Sequence, residues 1–204
     1  MNTSELILAL YENHMIKFGE FTLKSGHTTY VYADIRTAIS YPRIYKTICD
    51  MFYQQMDGLD YDFICGVPYS ALTFASSIAY IHNIPMLLKR KEAKSYGTKK
   101  MLEGMYKKDQ KVLIIEDVIT SGESIIETTG ILEDHDLVVK DICILIERNQ
   151  GGLEILKGLG YNVRCIMDIK NIIEVLHANN KISLADKAKA LNSLVPIKGN
   201  FIYE

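Results

Sequence analysis

The stretch "KVLIIEDVITSGES", residues 111–124, joins a run of apolar residues to two adjacent acids and a series of small residues. The apolar residues Val112 to Ile115 predict a buried strand of a parallel sheet. Glu116 and Asp117 follow at the point where we expect that strand to end. Because acids are poor strand formers and neighbouring carboxylates repel each other, the pair indicates a functional role.

The small residues after the acids predict a phosphate-binding turn. Thr120, Ser121, Gly122 and Ser124 precede a helix that we expect to begin near Ser121. Backbone N–H groups at a helix N-terminus carry partial positive charge, and a glycine lets a phosphate approach closely. The carboxylates would repel phosphate, but they can accept hydrogen bonds from a vicinal diol such as that of ribose. The stretch therefore favours a sugar phosphate. The alternative is a plain helix with Ser121 as its N-cap, which leaves the acids unexplained.

The composition is that of an ordinary globular protein. The chain has 204 residues, of which 48% are hydrophobic and 24% charged, so it suits one α/β domain with a sizeable core. A formal charge of -2 argues against a nucleic-acid binder. The sequence shows no secretion signal and no membrane-spanning apolar run. The four cysteines, Cys49, Cys65, Cys143 and Cys165, form no C-x-x-C pair, so we expect reduced thiols in a cytoplasmic protein.

The first part of the chain predicts helices and short strands. Residues 3–13 form an amphipathic helical pattern, and "FTLKSGHTTYVYADIR" predicts two short strands around a turn at Ser25 and Gly26. Pro42 is expected to open a helix that runs to about Met56.

Strands then alternate with helices up to a last helix at residues 171–178. The predicted strands are "DFICGV", "IPMLLKR", "KVLIIE", "DICILIE" and "NVRCIMDI". This alternation predicts a doubly wound, mainly parallel sheet with helices on both faces. Ligands of such sheets bind beyond the carboxyl ends of the strands. We expect "GVPYSA", "KRKEAKSYG", "EDVITSGES" and "ERNQGG" to meet there.

Residues 89–100, "KRKEAKSYGTKK", contain six basic residues and one acid. One interpretation is a charged loop that is exposed to solvent and has no binding role. The functional interpretation is a mobile loop, flanked by Gly97 and Gly104, that closes over a polyanion and stabilises charge on a leaving group.

Two further basic residues could contact a ligand. Arg148 directly follows an apolar strand, and its planar fork can bind a carboxylate through two parallel hydrogen bonds. A surface arginine is the alternative, and a solvated lysine is the default interpretation of Lys24.

Residues 112–124 resemble the signature for phosphoribosyl diphosphate (PRPP) of type I phosphoribosyltransferases: an apolar strand, two acids, two apolar residues and Thr-Ser-Gly. The rival motifs G-x-x-x-x-G-K-[ST] and G-x-G-x-x-G after a strand are both missing from the sequence. "FTLKSG", "YVYADIR", "GVPYSA", "RKEAKSYGT", "EG" at 103–104 and "ERNQGG" extend the resemblance to orotate phosphoribosyltransferases, from about residue 5 to 178. Within that family, the sequence is most similar to the domain that is fused, in animals, to orotidylate decarboxylase.

The resemblance implies the type I phosphoribosyltransferase fold in a single domain, residues 1–204. That fold has a small N-terminal hood, here about residues 1–36, and an α/β core, here about residues 42–178. The tail, residues 183–204, shows no resemblance that assigns it a role, although "LADKAKALN" predicts a short helix.

The resemblance also implies a role for individual residues. Lys94, Glu116 and Asp117 would be catalytic. Those expected at PRPP are Lys24, Tyr69, Ser70, Arg90, Lys91, Lys94, Tyr96, Glu116, Asp117, Val118, Ile119, Thr120, Ser121, Gly122, Glu123 and Ser124. Those expected at orotate are Lys24, Tyr32, Ala33, Thr120 and Arg148. Mg²⁺ would be carried by the diphosphate and ribose of PRPP, without a direct protein ligand.

The chain departs from the family pattern at two positions. Many bacterial members have Tyr-Lys where this chain has Tyr69 and Ser70, which removes a lysine contact with the diphosphate. Many members have histidine at Tyr96, and a phenol donates a hydrogen bond at neutral pH but does not shuttle protons.

The resemblance implies that the chain makes orotidine 5-phosphate and diphosphate from orotate and PRPP, in the biosynthesis of UMP. It also implies a homodimer in which the mobile loop covers the neighbouring site, and a decarboxylase is a possible partner. Two alternatives are a purine or uracil transferase, which the carboxylate-binding Arg148 disfavours, and a non-catalytic PRPP sensor that binds nucleic acid.

Overall fold

The computed structural model describes residues 1–22, 26–91 and 101–196. The helices in these ranges are α1 (Thr3–Glu12), α2 (Pro42–Gln55), α3 (Ser70–His82), α4 (Glu123–Glu133), α5 (Gly152–Gly158), α6 (Ile169–Ala178) and α7 (Leu184–Asn192), with a 3₁₀ helix at Ile35–Ser40. The strands are β1 (Ile16–Thr22), β2 (Thr28–Ala33), β3 (Phe63–Gly66), β4 (Leu88–Lys89), β5 (Leu102–Glu103), β6 (Lys111–Ile119), β7 (Val138–Glu147) and β8 (Asn162–Asp168).

Local sequence signals explain where several helices begin. The side chain of Asn2 accepts a hydrogen bond from the backbone N–H of Glu5, whose carboxylate accepts from the N–H of Asn2, so a capping box starts α1. Pro42 occupies the first turn of α2, where its missing N–H costs nothing. Ser183 and Asp186 form a second capping box at the start of α7. The helices predicted at residues 3–13, at 42–56 and in the tail are therefore confirmed.

The central sheet is parallel and has the strand order β3-β6-β7-β8. Leu113 and Ile115 of β6 pack into one apolar cluster with α1, α2, α3 and α6. Ile114, between them, packs into a second cluster with residues of α4 and α5. Since successive strand residues point to opposite faces, both faces are covered by helices, which confirms the predicted α/β class.

The structure corrects three predicted element boundaries. The segment "IPMLLKR" is not a full strand of the main sheet, because only Met86 makes a parallel bridge, to Ile64, before β4 turns away to pair with β5. Strand β6 does not end at the acids but continues to Ile119, because β7 keeps supplying hydrogen-bonding partners up to Glu147. Helix α6 begins at Ile169 rather than residue 171, since Asp168 caps it there.

Strands β1 and β2 form an antiparallel pair at the N-terminal end, as predicted, while Ser25 of the expected turn lies outside the described residues. Helix α7 packs against β2 and α6, so the tail joins the hood to the core. No helix among the residues described is long and apolar enough to cross a membrane.

Candidate functional site

The predicted phosphate loop connects the end of β6 to the start of α4. Gly122 is the N-cap residue of α4 and has a φ of +82°, a conformation that favours glycine. The alternative with Ser121 as N-cap is wrong, because the helix begins two residues later and no side chain caps it. The first N–H groups of α4 thus donate to no capping side chain, so the helix end can bind an anion.

Gly152, from the "ERNQGG" segment, supports this loop from behind. Its backbone N–H donates to the carbonyl of Thr120 at 3.0 Å. A Cβ at Gly152 would lie 2.6 Å from the Thr120 oxygen and 2.9 Å from the nitrogen of Gly122, so only glycine fits. Arg148 adds a second link, since its N–H donates to the carbonyl of Ile119 at 3.1 Å. The sequence analysis placed this segment at the same edge of the sheet but did not predict that Gly152 supports the loop.

The two acids have different environments. Glu116 is 6% exposed, whereas Asp117 is half-buried. An oxygen of the Glu116 carboxyl accepts from the backbone N–H of Asp117 at 3.0 Å. Burial raises the pKa of Glu116 well above its ordinary value, and the charge of Asp117 adds to this shift while Lys89 opposes it. The pair thus tends to hold a proton on Glu116, and Asp117 remains the more accessible acceptor.

Lys89 is a buried member of the site and not part of a solvated loop. Its Nζ donates to the carboxylate of Glu127, on α4, at 2.6 Å, and the lysine side chain is only 4% exposed. Arg90 is also engaged, because it forms a 3.3 Å ion pair with Glu103. The basic segment predicted at residues 89–100 therefore begins inside a short antiparallel pair of strands, where the charges are matched by acids.

The "GVPYSA" loop brings an aromatic and a basic residue together. The peptide bond between Pro68 and Tyr69 is cis, and the exposed ring of Tyr69 lies under the ammonium of Lys91 at 5.1 Å. Ser70 begins α3, and its hydroxyl is buried without a hydrogen-bond partner among the described residues. Gly66 allows the strand to pass this helix, since a Cβ there would lie 2.4 Å from the carbonyl oxygen of Ala71.

Tyr32 and Ala33 lie at the end of β2, in the hood. The ring of Tyr32 stacks on Phe21 at 5.3 Å, and its hydroxyl accepts from Arg36 at 3.3 Å. Arg36 also binds both carboxylate oxygens of Asp34, at 2.7 and 2.9 Å, which lowers the pKa of that acid. The charge of Asp117 also contributes to raising the pKa of Arg36, so the residues that follow β2 lie within electrostatic range of the acid pair.

Arg148 is buried, at 2% exposure, so the surface-arginine alternative is wrong. Its Nε donates to Gln150 at 2.8 Å, and its Nη2 donates to the hydroxyl of Thr29 at 3.1 Å and the carbonyl of Val31 at 3.0 Å. These bonds use Nε and both N–H groups of Nη2, so a ligand would have to bind through Nη1. Nη1 makes no hydrogen bond to the described part of the chain.

Burial lowers the pKa of Arg148, and the neighbouring Tyr32 opposes the shift. Within the described ranges no carboxylate forms a salt bridge with this guanidinium. A buried charge without a counter-charge is costly, and an anionic ligand would relieve that cost.

The structure brings together most of the residues predicted from the sequence, around the carboxyl ends of β3, β6 and β7. Lys24, Lys94 and Tyr96 lie outside the described residues. The acids at 116–117 lie in β6 together with Val118 and Ile119, and the small residues Thr120, Ser121, Gly122, Glu123 and Ser124 form the turn and the first residues of α4. The sequence analysis assigned no individual role to Thr29 or Lys89, because their partners Arg148 and Glu127 lie far away in the chain. It also assigned none to Arg36 or Gln150, although these residues contact close neighbours in the sequence.

Comparisons with known proteins identify the family. Residues 39–180 match the model of the phosphoribosyl transferase domain. An orotate phosphoribosyltransferase of Caenorhabditis elegans is 38% identical over 85% of this chain and 78% of its own length. The uridine 5'-monophosphate synthase of Bos taurus is 39% identical over 87% of this chain, which spans only 38% of that longer protein.

Solved structures give the same result. The UMP synthase of Leishmania donovani superposes with a TM-score of 0.86 at 32% identity, covering 95% of this chain and 42% of that chain. The orotate phosphoribosyltransferase of Aeropyrum pernix superposes with a TM-score of 0.73 at 25% identity, covering 84% of this chain and 99% of that one. Since the matched region contains the acid pair, the phosphate loop and the buried arginine, the chain belongs to the orotate phosphoribosyltransferase family of type I phosphoribosyltransferases.

Proposed function

We propose that this chain transfers the phosphoribosyl group of PRPP to orotate and releases diphosphate, as a step in UMP biosynthesis. The observation that carries the proposal is the buried guanidinium of Arg148, which has no acidic partner among the described residues and is linked to the phosphate loop. Orotate carries a carboxylate that this guanidinium could bind, whereas uracil and the purine bases carry none. A transferase for those bases would leave the buried charge unpaired.

PRPP would bind along the loops at the carboxyl ends of the strands. Its 5-phosphate would occupy the turn from Thr120 to Ser124, and its ribose hydroxyls would bind Asp117 and Glu116. Its diphosphate would lie near Tyr69, Ser70 and Lys91. The hydroxyl of Ser70, which has no hydrogen-bond partner in residues 1–22, 26–91 and 101–196, and the ammonium of Lys91 above the Tyr69 ring support this placement.

Arg90, Lys94 and Tyr96 would complete the diphosphate site from the basic segment, and Lys24 would contact both substrates. Tyr32 and Ala33 would flank the orotate ring, with Thr120 and Arg148 holding its polar groups. The position of Tyr32 beside Arg36 and Arg148 supports this part of the proposal.

The reaction needs little general-base catalysis, since orotate is already an anion. The barrier lies in the departure of diphosphate through an oxocarbenium-like transition state. Lys94 would stabilise charge on the leaving group, and the acid pair would orient the ribose so that its anomeric carbon faces orotate.

The residues present fit a Mg²⁺ ion that the substrate carries. The ion would be coordinated by the diphosphate and ribose oxygens of PRPP, without a direct protein ligand, and the half-buried carboxylate of Asp117 beside the ribose would favour its positive charge. Mg²⁺ would supply charge neutralisation at the diphosphate and ribose oxygens when bound.

The same proposal includes a homodimer in which residues 90–103 reach the neighbouring site, a cytoplasmic location and a possible orotidylate decarboxylase partner. The possible decarboxylase partner is supported by the bovine and Leishmania UMP synthases, which are longer than the region that matches this chain.

The decisive assay measures orotate consumption at its near-ultraviolet absorbance band, with and without PRPP and Mg²⁺. We expect PRPP-dependent loss of orotate and selectivity over uracil of about 10⁴ in kcat/KM, because a site built around a polar substrate group rejects the analogue that lacks it. Comparable values for the two bases would refute the assignment of Arg148. Absence of turnover, together with nucleic-acid binding that weakens steeply with salt, would favour the regulatory alternative.

A further inference from the structure

The tail of the chain docks on the hood through the end of α7. The hydroxyl oxygen of Ser193 accepts from the backbone N–H of Tyr30 at 2.9 Å, and the hydroxyl of Tyr30 donates to Asp186 at 2.9 Å. The ammonium of Lys189 lies over the same tyrosine ring at 5.1 Å. The last turn of α7 is therefore held against β2, the strand that also contacts Arg148.

One chain of hydrogen bonds leads from this contact to Arg148. The Ser193 hydroxyl donates to the carbonyl of Ala190 at 2.7 Å, which leaves its oxygen free to accept. The hydroxyl of Thr29 lies 3.3 Å from that oxygen, and it accepts from Nη2 of Arg148 at 3.1 Å. The single proton of the Thr29 hydroxyl is shared between the Ser193 oxygen and the carbonyl of Val31, which lies 3.2 Å away. When Thr29 donates to Ser193, each hydroxyl accepts from one neighbour and donates to the next, and the bonds polarise one another.

A second connection reaches the other nitrogen of the same edge. The amide nitrogen of Gln150 donates to the carbonyl of Val195 at 3.3 Å. The amide oxygen of Gln150 accepts from Nε of Arg148 at 2.8 Å. Gln150 is only 2% exposed, so water has little access to replace either partner.

We propose that the tail segment, residues 183–195, positions the guanidinium of Arg148 for the substrate carboxylate, with Ser193 as a positioning residue. The inference rests on the proposed role of Arg148. Neutral oxygens alone hold this guanidinium among the described residues, and two of the three acceptors are themselves fixed by the tail. Loss of those supports leaves the fork less well aligned, and small misalignments weaken binding and catalysis.

The test compares Ser193→Ala with Ser193→Thr and Lys187→Ala. Lys187 lies on the same helix and pairs with Glu174 on α6, away from the hydrogen bonds described above, so it is a matched control for loosening of the tail. We expect Ser193→Ala to raise the KM for orotate about 2- to 10-fold, the worth of one hydrogen bond, while the KM for PRPP stays constant. Ser193→Thr, which keeps the hydroxyl, restores the orotate KM, and Lys187→Ala leaves both constants unchanged.

A second readout needs no substrate. The ¹⁵N NMR signal of the Arg148 Nη2 group, which donates to Thr29, is expected to be sharp and slowly exchanging in the parent chain and in Ser193→Thr, and to broaden in Ser193→Ala. If the parent chain turns over orotate and Ser193→Ala changes neither its KM nor this signal, the inference is wrong. Equal increases in both KM values, or the same changes in Lys187→Ala, also overturn it in favour of a merely structural tail. A parent chain that shows the NMR effect but no orotate turnover refutes the proposed function and not the linkage of the tail to Arg148.

Discussion

Replacement of Gly152 by alanine tests whether the turn after β6 is the phosphate site. The added Cβ would lie 2.6 Å from the carbonyl oxygen of Thr120, 2.8 Å from Cγ1 of Ile119 and 2.9 Å from the nitrogen of Gly122. Two of these atoms belong to the backbone of the phosphate loop and cannot rotate away. Restoring ordinary contact with the Thr120 oxygen requires a shift of roughly 0.8 Å between loop and helix.

That shift has a cost in both stability and binding. Forcing an extra methyl group into a packed site costs about 1–3 kcal/mol, so we expect the free energy of unfolding to fall by that amount. The displaced loop also loses alignment with the phosphate, and each 1.4 kcal/mol of lost binding energy is about tenfold in affinity. We therefore expect the KM for PRPP to rise about tenfold or more, with a smaller change in the KM for orotate.

The assay is initial-rate kinetics in both substrates, with thermal unfolding of the same samples. Gly158→Ala is the matched control, because Gly158 ends the same helix and a Cβ there meets nothing within 4 Å. We expect the control to retain the parent constants. If Gly152→Ala lowers the melting temperature but leaves the KM for PRPP unchanged, the turn from Thr120 to Ser124 does not bind the 5-phosphate and the reasoning fails.

Three further predictions concern the acids and the assembly. Because the pKa of Glu116 is raised above its ordinary value of 4.5, the folded state holds that proton more tightly, so the contribution of Glu116 to stability is fully present below this value and is lost as the pH rises through the folded-state pKa. Urea unfolding between about pH 5 and 8 should therefore show a larger loss of stability with rising pH in the parent chain than in Glu116→Gln. Asp117→Asn should raise the KM for PRPP at an unchanged melting temperature, since Asp117 is only half-buried. If the activity of the variant only follows its folded fraction, Asp117 has a structural role and does not bind the ribose. Mixing inactive Lys94→Ala dimers with inactive Glu116→Ala, Asp117→Ala dimers should restore roughly a quarter of the parent rate per subunit, because half of the dimers are then mixed and each mixed dimer has one complete site. If mass spectrometry verifies subunit exchange and activity does not recover, the basic segment serves its own subunit.

Local sequence patterns were sufficient to predict the fold class of this protein. Short apolar strands alternate with amphipathic helices, and the resulting parallel sheet follows from burial on both faces. Asn2, Pro42 and Ser183 mark helix starts through contacts within one turn, which are readable from neighbouring residues. The turn between β6 and α4 was predictable for the same reason, since it is formed by the consecutive small residues Thr120, Ser121 and Gly122.

Tertiary structure decided the features that depend on residues far apart in the chain. The acids remain in β6 because β7 continues to pair with it, and the pKa of Glu116 is raised because the surrounding core excludes water. Arg148 is buried, with part of its fork engaged, because Thr29 meets it across 119 positions of sequence. The tail reaches this arginine only because α7 folds back onto the hood. Such contacts depend on where whole elements pack, and the residues on either side carry no local signal of their partners.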